Sequence, residues 1–429
     1  MERTLLVTIK FHSEKSPWKL EDSGEELEEL VSACGAEIID NISCVRERPT
    51  ANFFIGKGKV EEIAMLCAQE EIDTVVFSHD LSGTQQRNLE DIIGKKTIDR
   101  TQLILDIFSR HARSPEGKMQ VELAQLQYLL PRLIGAGVIL SRTGGGIGTS
   151  GPGEQKLEVD RRRIRKRLDK LKNDIRHLSL HRKTTRKRRK DNSMPVVALV
   201  GYTNAGKSTL INTLTGALQV VSNSLFTTLD PLYKSLQLPN GENIVISDTV
   251  GFLHNLPHHL IEAFKATLEE VIEADLIIHV LDVSHPRVYQ HNQAVMDVLK
   301  EMEIKDKPLI IALNKIDLVD DLSWLEHTKN DFSSSVLISA KFRKNLDLLL
   351  NLIQNNFSGR MVSCDLLLPH SRMGMIDLFY REGRVEKIDY LQEGIRVEVS
   401  LPRPLYDKVV GSSDIKELKK GNRTTKPLP

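Results

Sequence analysis

Short apolar runs alternate with amphipathic stretches of helical period along the first 110 residues. Leu5–Phe11, Ile38–Val45 and Asp73–Phe77 read as strands, and Glu25–Cys34, Lys59–Gln69 and Gln85–Ile93 as helices. Together they predict a small α/β layer. Gly56-Lys57-Gly58 marks the turn into the second helix. Two glycines there fit a plain strand-to-helix turn as well as an anion site, so none is assigned.

The pattern then changes. Leu123, Leu126, Leu130 and Leu133 recur at intervals of three and four, as one helical stripe does. Leu157, Ile164, Leu168, Leu171, Ile175 and Leu178 recur at intervals of seven, four and three. Two such stripes joined through a turn predict an antiparallel helical hairpin. Its tip would span Gly135 to Gly153 and include the glycine-rich string over 144–153. Glycines lose much entropy on ordering, so a tip of this kind gains most from a partner that orders it.

Further on, the apolar runs Met194–Val200, Asn243–Ser247, Leu309–Leu313 and Val336–Ile338 read as strands, each followed by a polar loop. After residue 360 come a strand (Cys364–Leu368), a short helix (Arg372–Tyr380) and two more strands (Arg384–Tyr390 and Gly394–Leu401). They predict a small βαββ unit, with a polar, frayed tail over Glu417–Pro429.

Composition narrows the class. A chain of 429 residues is too long for one core, and 40% hydrophobic with 27% charged residues is ordinary for a globular protein. No apolar run approaches the roughly 20 residues that span a bilayer, and the start of the chain lacks the pattern of a signal peptide. Cys34, Cys44, Cys67 and Cys364 include no close pair, which fits reduced thiols in the cytoplasm. The net charge of +1 hides an asymmetry. Residues 161–190 hold 16 Lys plus Arg against Asp169 and Asp174, a net of +14, and leave −13 elsewhere. Such a block repels itself and is most useful against a polyanion, so nucleic-acid contact is expected over a solvated linker with incidental charge.

The loops carry the chemistry. Gly201-Tyr202-Thr203-Asn204-Ala205-Gly206-Lys207-Ser208 follows one predicted strand and opens a helix. That is the context a phosphate cradle requires. Its glycines let backbone N–H groups converge on phosphate, Lys207 adds charge at the β and γ oxygens, and the Ser208 hydroxyl can ligate Mg²⁺. Asp248-Thr249-Val250-Gly251 ends another strand. Asp248 can hold the metal through water, and the Gly251 amide can approach the γ-phosphate. Between them, Phe226-Thr227-Thr228-Leu229-Asp230 supplies a threonine that closes over the metal, and Thr227 and Thr228 both qualify on spacing.

Asn314-Lys315-Ile316-Asp317 reads the base. The Asp317 carboxylate can accept from guanine N1–H and the 2-amino group, which adenine cannot match. Lys315 can cover the base, Asn314 can brace the loops, and Ser339-Ala340-Lys341 can present the Ala340 amide to guanine O6. These strings predict an Mg²⁺-dependent GTPase. Phe252 stands where many small GTPases place a water-orienting glutamine, so slow turnover alone and acceleration by a partner are expected. His254, His258 and His259 read as polar decoration of this loop.

The chain closely resembles the HflX family of ribosome-associated GTPases. The resemblance rests on Thr101–Phe108, Gly117–Leu126, Leu129–Leu133, Gly144–Thr149, Gly151–Glu154, Leu157–Asp160 and Asp248–Phe252. It implies Thr228 as the metal-binding threonine beside Ser208 and Asp248, and Lys207, Thr228 and Gly251 as the catalytic set. It also implies binding to the large ribosomal subunit, splitting of stalled or stressed 70S ribosomes in the GTP-bound state, and hydrolysis stimulated by the ribosome. The rRNA contacts would come from the basic hairpin (161–190) and the glycine-rich loop (144–153). A cytoplasmic protein follows, loose membrane association included, monomeric when free and without DNA as a partner. Ser150, Gln155-Lys156 and Leu232-Tyr233-Lys234 depart from the family pattern and touch RNA contacts and switch I dynamics, not nucleotide chemistry. A large-subunit assembly GTPase and an RNA-remodelling protein are the alternatives. The expected architecture is α/β: an N-terminal α/β domain over 1–113, the hairpin over 114–190, a P-loop GTPase domain over 194–360 and a small α+β domain over 361–429.

Overall fold

The computed structural model describes residues 1–13, 18–133, 152–191, 194–216, 232–255, 257, 260, 265–304, 307–357, 360–412 and 414–418. By density of contacts the chain divides into two bodies. The first holds residues 1–181 and 250–268, and the second holds 182–221, 231–249 and 269–429.

In the first body, β1 (Arg3–Phe11), β2 (Glu37–Arg46), β3 (Thr74–Phe77) and β4 (Lys96–Asp99) make a parallel sheet in the order β2-β1-β3-β4. β1 is buried along most of its length, as a parallel strand covered on both faces must be. On one face Leu5, Val7 and Ile9 pack with Val60, Ile63 and Leu89, from the helices Lys57–Gln69 and Gly83–Ile93. Ser82 caps the second of these by exchanging hydrogen bonds with Gln85, and Gly94 ends it in the left-handed conformation. β4 and the helix Arg100–His111 were not read from the pattern. A four-residue strand is too short to show a period.

The helix Pro115–Arg132 packs against the 40-residue helix Pro152–Asp191. Leu123, Leu168 and Leu171 form the buried seam, flanked by Leu126, Leu130, Ile164 and Ile175. Arg167 grips Glu122 with two hydrogen bonds of 2.6 and 2.7 Å beside it. That pair is exposed and adds little, so the leucine seam carries the association. The glycine-rich string over 144–151 lies outside the described residues.

The second body is built on a six-stranded sheet of β5 (Val196–Val200), β6 (Leu232–Gln237), β7 (Asn243–Asp248), β8 (Leu276–Asp282), β9 (Leu309–Asn314) and β10 (Ser335–Leu337). Its order is β10-β9-β8-β5-β7-β6, parallel except for β6 against β7. A four-stranded antiparallel sheet follows, β12-β13-β11-β14, from β11 (Met361–Leu368), β12 (Arg384–Leu391), β13 (Gly394–Pro402) and β14 (Lys416–Glu417). Two differences from the expected βαββ unit stand out. Arg372 sits in a 3₁₀ turn, so the helix starts at Met375, and a second helix, Arg403–Val410, adds Val409 to the core. Glu417 is not frayed: it pairs with Leu366, and the Leu418 amide donates to Asp365 at 2.7 Å, which covers the edge of β11. Among the described residues no helix is long and apolar enough to cross a membrane.

The seam gives a direct test. Leu171 is 1% exposed, so Leu171→Ala should cost about 2 kcal/mol or more. Hydrogen exchange in 115–132 should accelerate accordingly. Unchanged exchange there would mean that the two helices are held by something else.

Candidate nucleotide site

The loops that follow β5, β7, β8 and β9 all leave the carboxyl ends of parallel strands, where open α/β sheets bind ligands. After β5 the chain turns into the helix Lys207–Thr215. Two glycines are required by close approach. A Cβ at Gly201 would sit 2.3 Å from the Val280 carbonyl oxygen. A Cβ at Gly206, which has φ +95°, would sit 2.3 Å from Asn314 Nδ2. Asn204 also takes the left-handed region, at φ +58°. The backbone is thereby curled at the amino end of a helix, with Thr203 and Ala205 buried inside it.

Lys207 is buried, and its Nζ donates to the Gly201 and Tyr202 carbonyls at 3.0 and 2.9 Å. Burial pulls the ammonium down to about 8, and the carboxylate of Asp248 only partly opposes this. The Ser208 hydroxyl donates to Asp248 Oδ2 at 2.8 Å, and both residues are buried. A hydroxyl and a carboxylate side by side are hard oxygen donors that suit Mg²⁺. Thr249 is turned to the scaffold, donating to Leu199 O at 2.6 Å. His279, level with Val200 on the neighbouring strand, is fully buried and held neutral, its pKa pulled down to about 3 by burial and by the Lys207 charge.

The base-reading strings are joined to this cradle by one side chain. Asn314 Nδ2 donates to Ala205 O at 2.9 Å, and Asn314 Oδ1 accepts from the Ala340 amide at 3.0 Å. The Ser339 hydroxyl donates to Asp317 Oδ1 at 2.5 Å and also accepts from the Phe342 amide. Thr213, on the helix after the cradle, donates to Ala340 O at 2.9 Å. Lys315 is left-handed at φ +66°, and its ammonium pairs with Asp282 at 2.7 Å. Ile316 opens the 3₁₀ turn Ile316–Leu318, and Lys341 is exposed over the Phe342 ring.

Two features refine the sequence reading. The Ala340 amide is engaged by Asn314, so reaching guanine O6 means sharing that proton. His254 is not mere decoration: its ring stacks on Trp18 at 4.4 Å. His258, His259 and the whole string Phe226–Asp230, with Thr227 and Thr228, lie outside the described residues. Val250 and Gly251 group with the first body, and Phe252 is packed at 2% exposure.

Sequence reasoning missed Asp282 and His291. Asp282 ends β8 directly beside Asn314 in the ladder, and an acidic residue closing a long apolar strand was the available signal. The His291 ring stacks on Tyr202 at 3.9 Å, and burial with the neighbouring cations pulls its pKa down to about 3. The apolar stripe of its helix gave no hint of that contact.

Gly206→Ala should lower GDP affinity by roughly tenfold or more, because the new methyl displaces the Asn314 brace and the backbone is strained. Fluorescent-nucleotide titration of folded protein measures it, and an unchanged affinity would contradict this geometry.

Comparison with known proteins completes the picture. Three family models match in series. The GTP-binding GTPase N-terminal model covers 21–109, the GTP-binding GTPase middle-region model covers 111–189 and the 50S ribosome-binding GTPase model covers 196–315. GTPase HflX of Caldanaerobacter subterraneus subsp. tengcongensis is 45% identical, over 93% of this chain and 91% of its own. GTPase HflX of Escherichia coli K12 is 38% identical, over 95% and 94%. A solved GTP-binding protein of Sulfolobus solfataricus, in complex with GDP, is 26% identical over 83% of this chain and 98% of its own, with a TM-score of 0.43. The chain hydrolyses GTP, and by the family models and HflX relatives matched along nearly its whole length it belongs to the HflX family of GTPases.

Proposed function

We propose that this GTPase binds the large ribosomal subunit and, in its GTP-bound state, splits stalled or stressed 70S ribosomes, with the ribosome stimulating hydrolysis. The observation that carries the reading is the helix Pro152–Asp191. It places the run of 16 Lys plus Arg along one rod, seated on the helix Pro115–Arg132 by Leu168 and Leu171. A basic rod of this kind tracks a phosphate backbone. The printed description of the central family model, a 50S ribosome-binding GTPase, adds to it. A cytoplasmic location and a monomeric free state belong to the same reading.

Ser208, Thr228 and Asp248 would hold Mg²⁺, which supplies positive charge to the β and γ oxygens. The chain's own residues do the rest. Lys207 meets phosphate with its ammonium, and Asp317, set by Ser339, accepts from the guanine edge. Asn314 keeps the two loops at one spacing. Phe252 is apolar and packed, so it cannot orient the attacking water. The group that does so would come from elsewhere in the complex, which is why the subunit is expected to accelerate the reaction.

Two experiments test this. GTP hydrolysis should rise by on the order of tenfold or more when purified large subunits are added. Gradient profiles of 70S ribosomes should also shift to free subunits with the protein and a nonhydrolysable GTP analogue. Stimulation without splitting would instead favour a role in large-subunit assembly.

Lys207 adds a pH signature. Its pKa is depressed from 10.5 to about 8 by burial, so the protein alone begins to lose this proton near pH 8. The fold gains stability from that group as pH rises from 8 towards 10.5, where the unfolded chain still holds the proton. A bound phosphate favours the charged form, so binding of GDP should take up a proton above pH 8. Calorimetry in buffers of different ionisation enthalpy reads this directly. Heats independent of buffer near pH 9 would contradict it.

A further inference from the structure

The string at the end of β4, Asp99-Arg100-Thr101, carries chemistry that nucleotide binding does not use. Asp99 is fully buried and accepts from the amides of Leu81 and Gln102 at 3.1 and 2.8 Å. It also accepts from Arg132 Nη2 at 2.7 Å. Arg132 reaches Leu81 O at 2.6 Å and lies over the Tyr128 ring. It ends the helix Pro115–Arg132, just before the segment that holds the glycine-rich string. A buried ion pair therefore anchors the carboxyl end of that helix to the end of β4.

The next residue anchors something else. The Arg100 side chain is 11% exposed and pairs with Glu26, itself 9% exposed. Its remaining N–H groups donate to His254 O at 2.6 Å and Asn255 O at 3.1 Å. These carbonyls belong to the turn just after Asp248–Phe252. Trp18 lies flat on the His254 ring, 15° from parallel. Asn255 takes the left-handed region at φ +46°, which asparagine tolerates well. All these groups lie within the first body.

We propose that Arg100 is a positioning residue for GTP hydrolysis. It holds the His254–Asn255 turn, which directly follows Asp248–Phe252 (the switch II string), against the end of β4. A planar fork satisfies a carboxylate and two carbonyls at once from fixed directions, which a compact ammonium matches less well. Losing one partner leaves a buried charge uncompensated, so the arrangement resists displacement. This inference rests on the ribosome-stimulated reading above.

The test uses the full chain, with Arg100→Ala, Arg100→Lys and Trp18→Ala compared with the parent. The quantity read is the ratio of hydrolysis rates with and without large subunits. Arg100→Ala should reduce that ratio by roughly tenfold or more, while GDP affinity stays within about threefold. Exchange of the amides at 252–255 should accelerate. Arg100→Lys keeps the charge but not the fork and should fall between, as should Trp18→Ala. If Arg100→Ala does not fold, Arg100→Lys is judged by the same ratio. A parent that responds to subunits and an equally responsive, folded Arg100 variant would overturn the assignment of Arg100 alone. A parent that does not respond would overturn the ribosome reading, and this assignment with it. A purely structural role would lower the melting temperature and leave the ratio intact.

Discussion

The carboxamide of Asn314 donates to the Ala205 carbonyl and accepts from the Ala340 amide, so one buried side chain spans the phosphate cradle and the base-reading loop. Those loops come from three strands far apart in sequence, and the distance between them must match the length of a guanine nucleotide. On the proposed reading the amide sets that distance. It also explains why Gly206 admits no side chain, since Asn314 Nδ2 occupies the space a Cβ would need. Leaving either of these buried partners unpaired costs about 1–3 kcal/mol.

Electrostatics follow from the same packing. The Lys207 ammonium is buried against carbonyls, with Asp248 as its main opposing charge and a neutral His279 nearby. A polyanion restores what burial removes, which couples phosphate binding to protonation above pH 8. Ser208 and Asp248 are already in contact, so an incoming cation finds two oxygen donors on neighbouring elements. In the proposed site, guanine would meet an Asp317 carboxylate aimed by Ser339 rather than left to rotate.

The parts of this molecule that were legible in the sequence are those where chemistry restricts the residue type. Gly201–Ser208, Asp248–Gly251 and Asn314–Asp317 could be read because phosphate, metal and guanine each demand particular groups at particular spacings. The leucine seam of the hairpin was legible through its period. Pairings between distant side chains were not. Nothing in the local pattern says that Lys315 meets Asp282, that Tyr202 lies on His291, or that Arg100 reaches across 154 positions to His254. Short elements escaped for a related reason. β4 and the helix Arg403–Val410 are too brief for periodicity, and tertiary packing specifies them.

The first body and the nucleotide chemistry meet along the chain at residues 249–250, where switch II passes from one to the other. A GTPase whose water-orienting position holds a packed phenylalanine depends on how that segment is held. All of this presupposes an intact nucleotide site, and calorimetric titration of GDP into parent and Asn314→Ala probes it most directly. Loss of both braces should weaken GDP by roughly thirtyfold or more (about 2 kcal/mol) in protein that remains folded. Binding within about threefold of the parent would show that Asn314 does not set the spacing of the site.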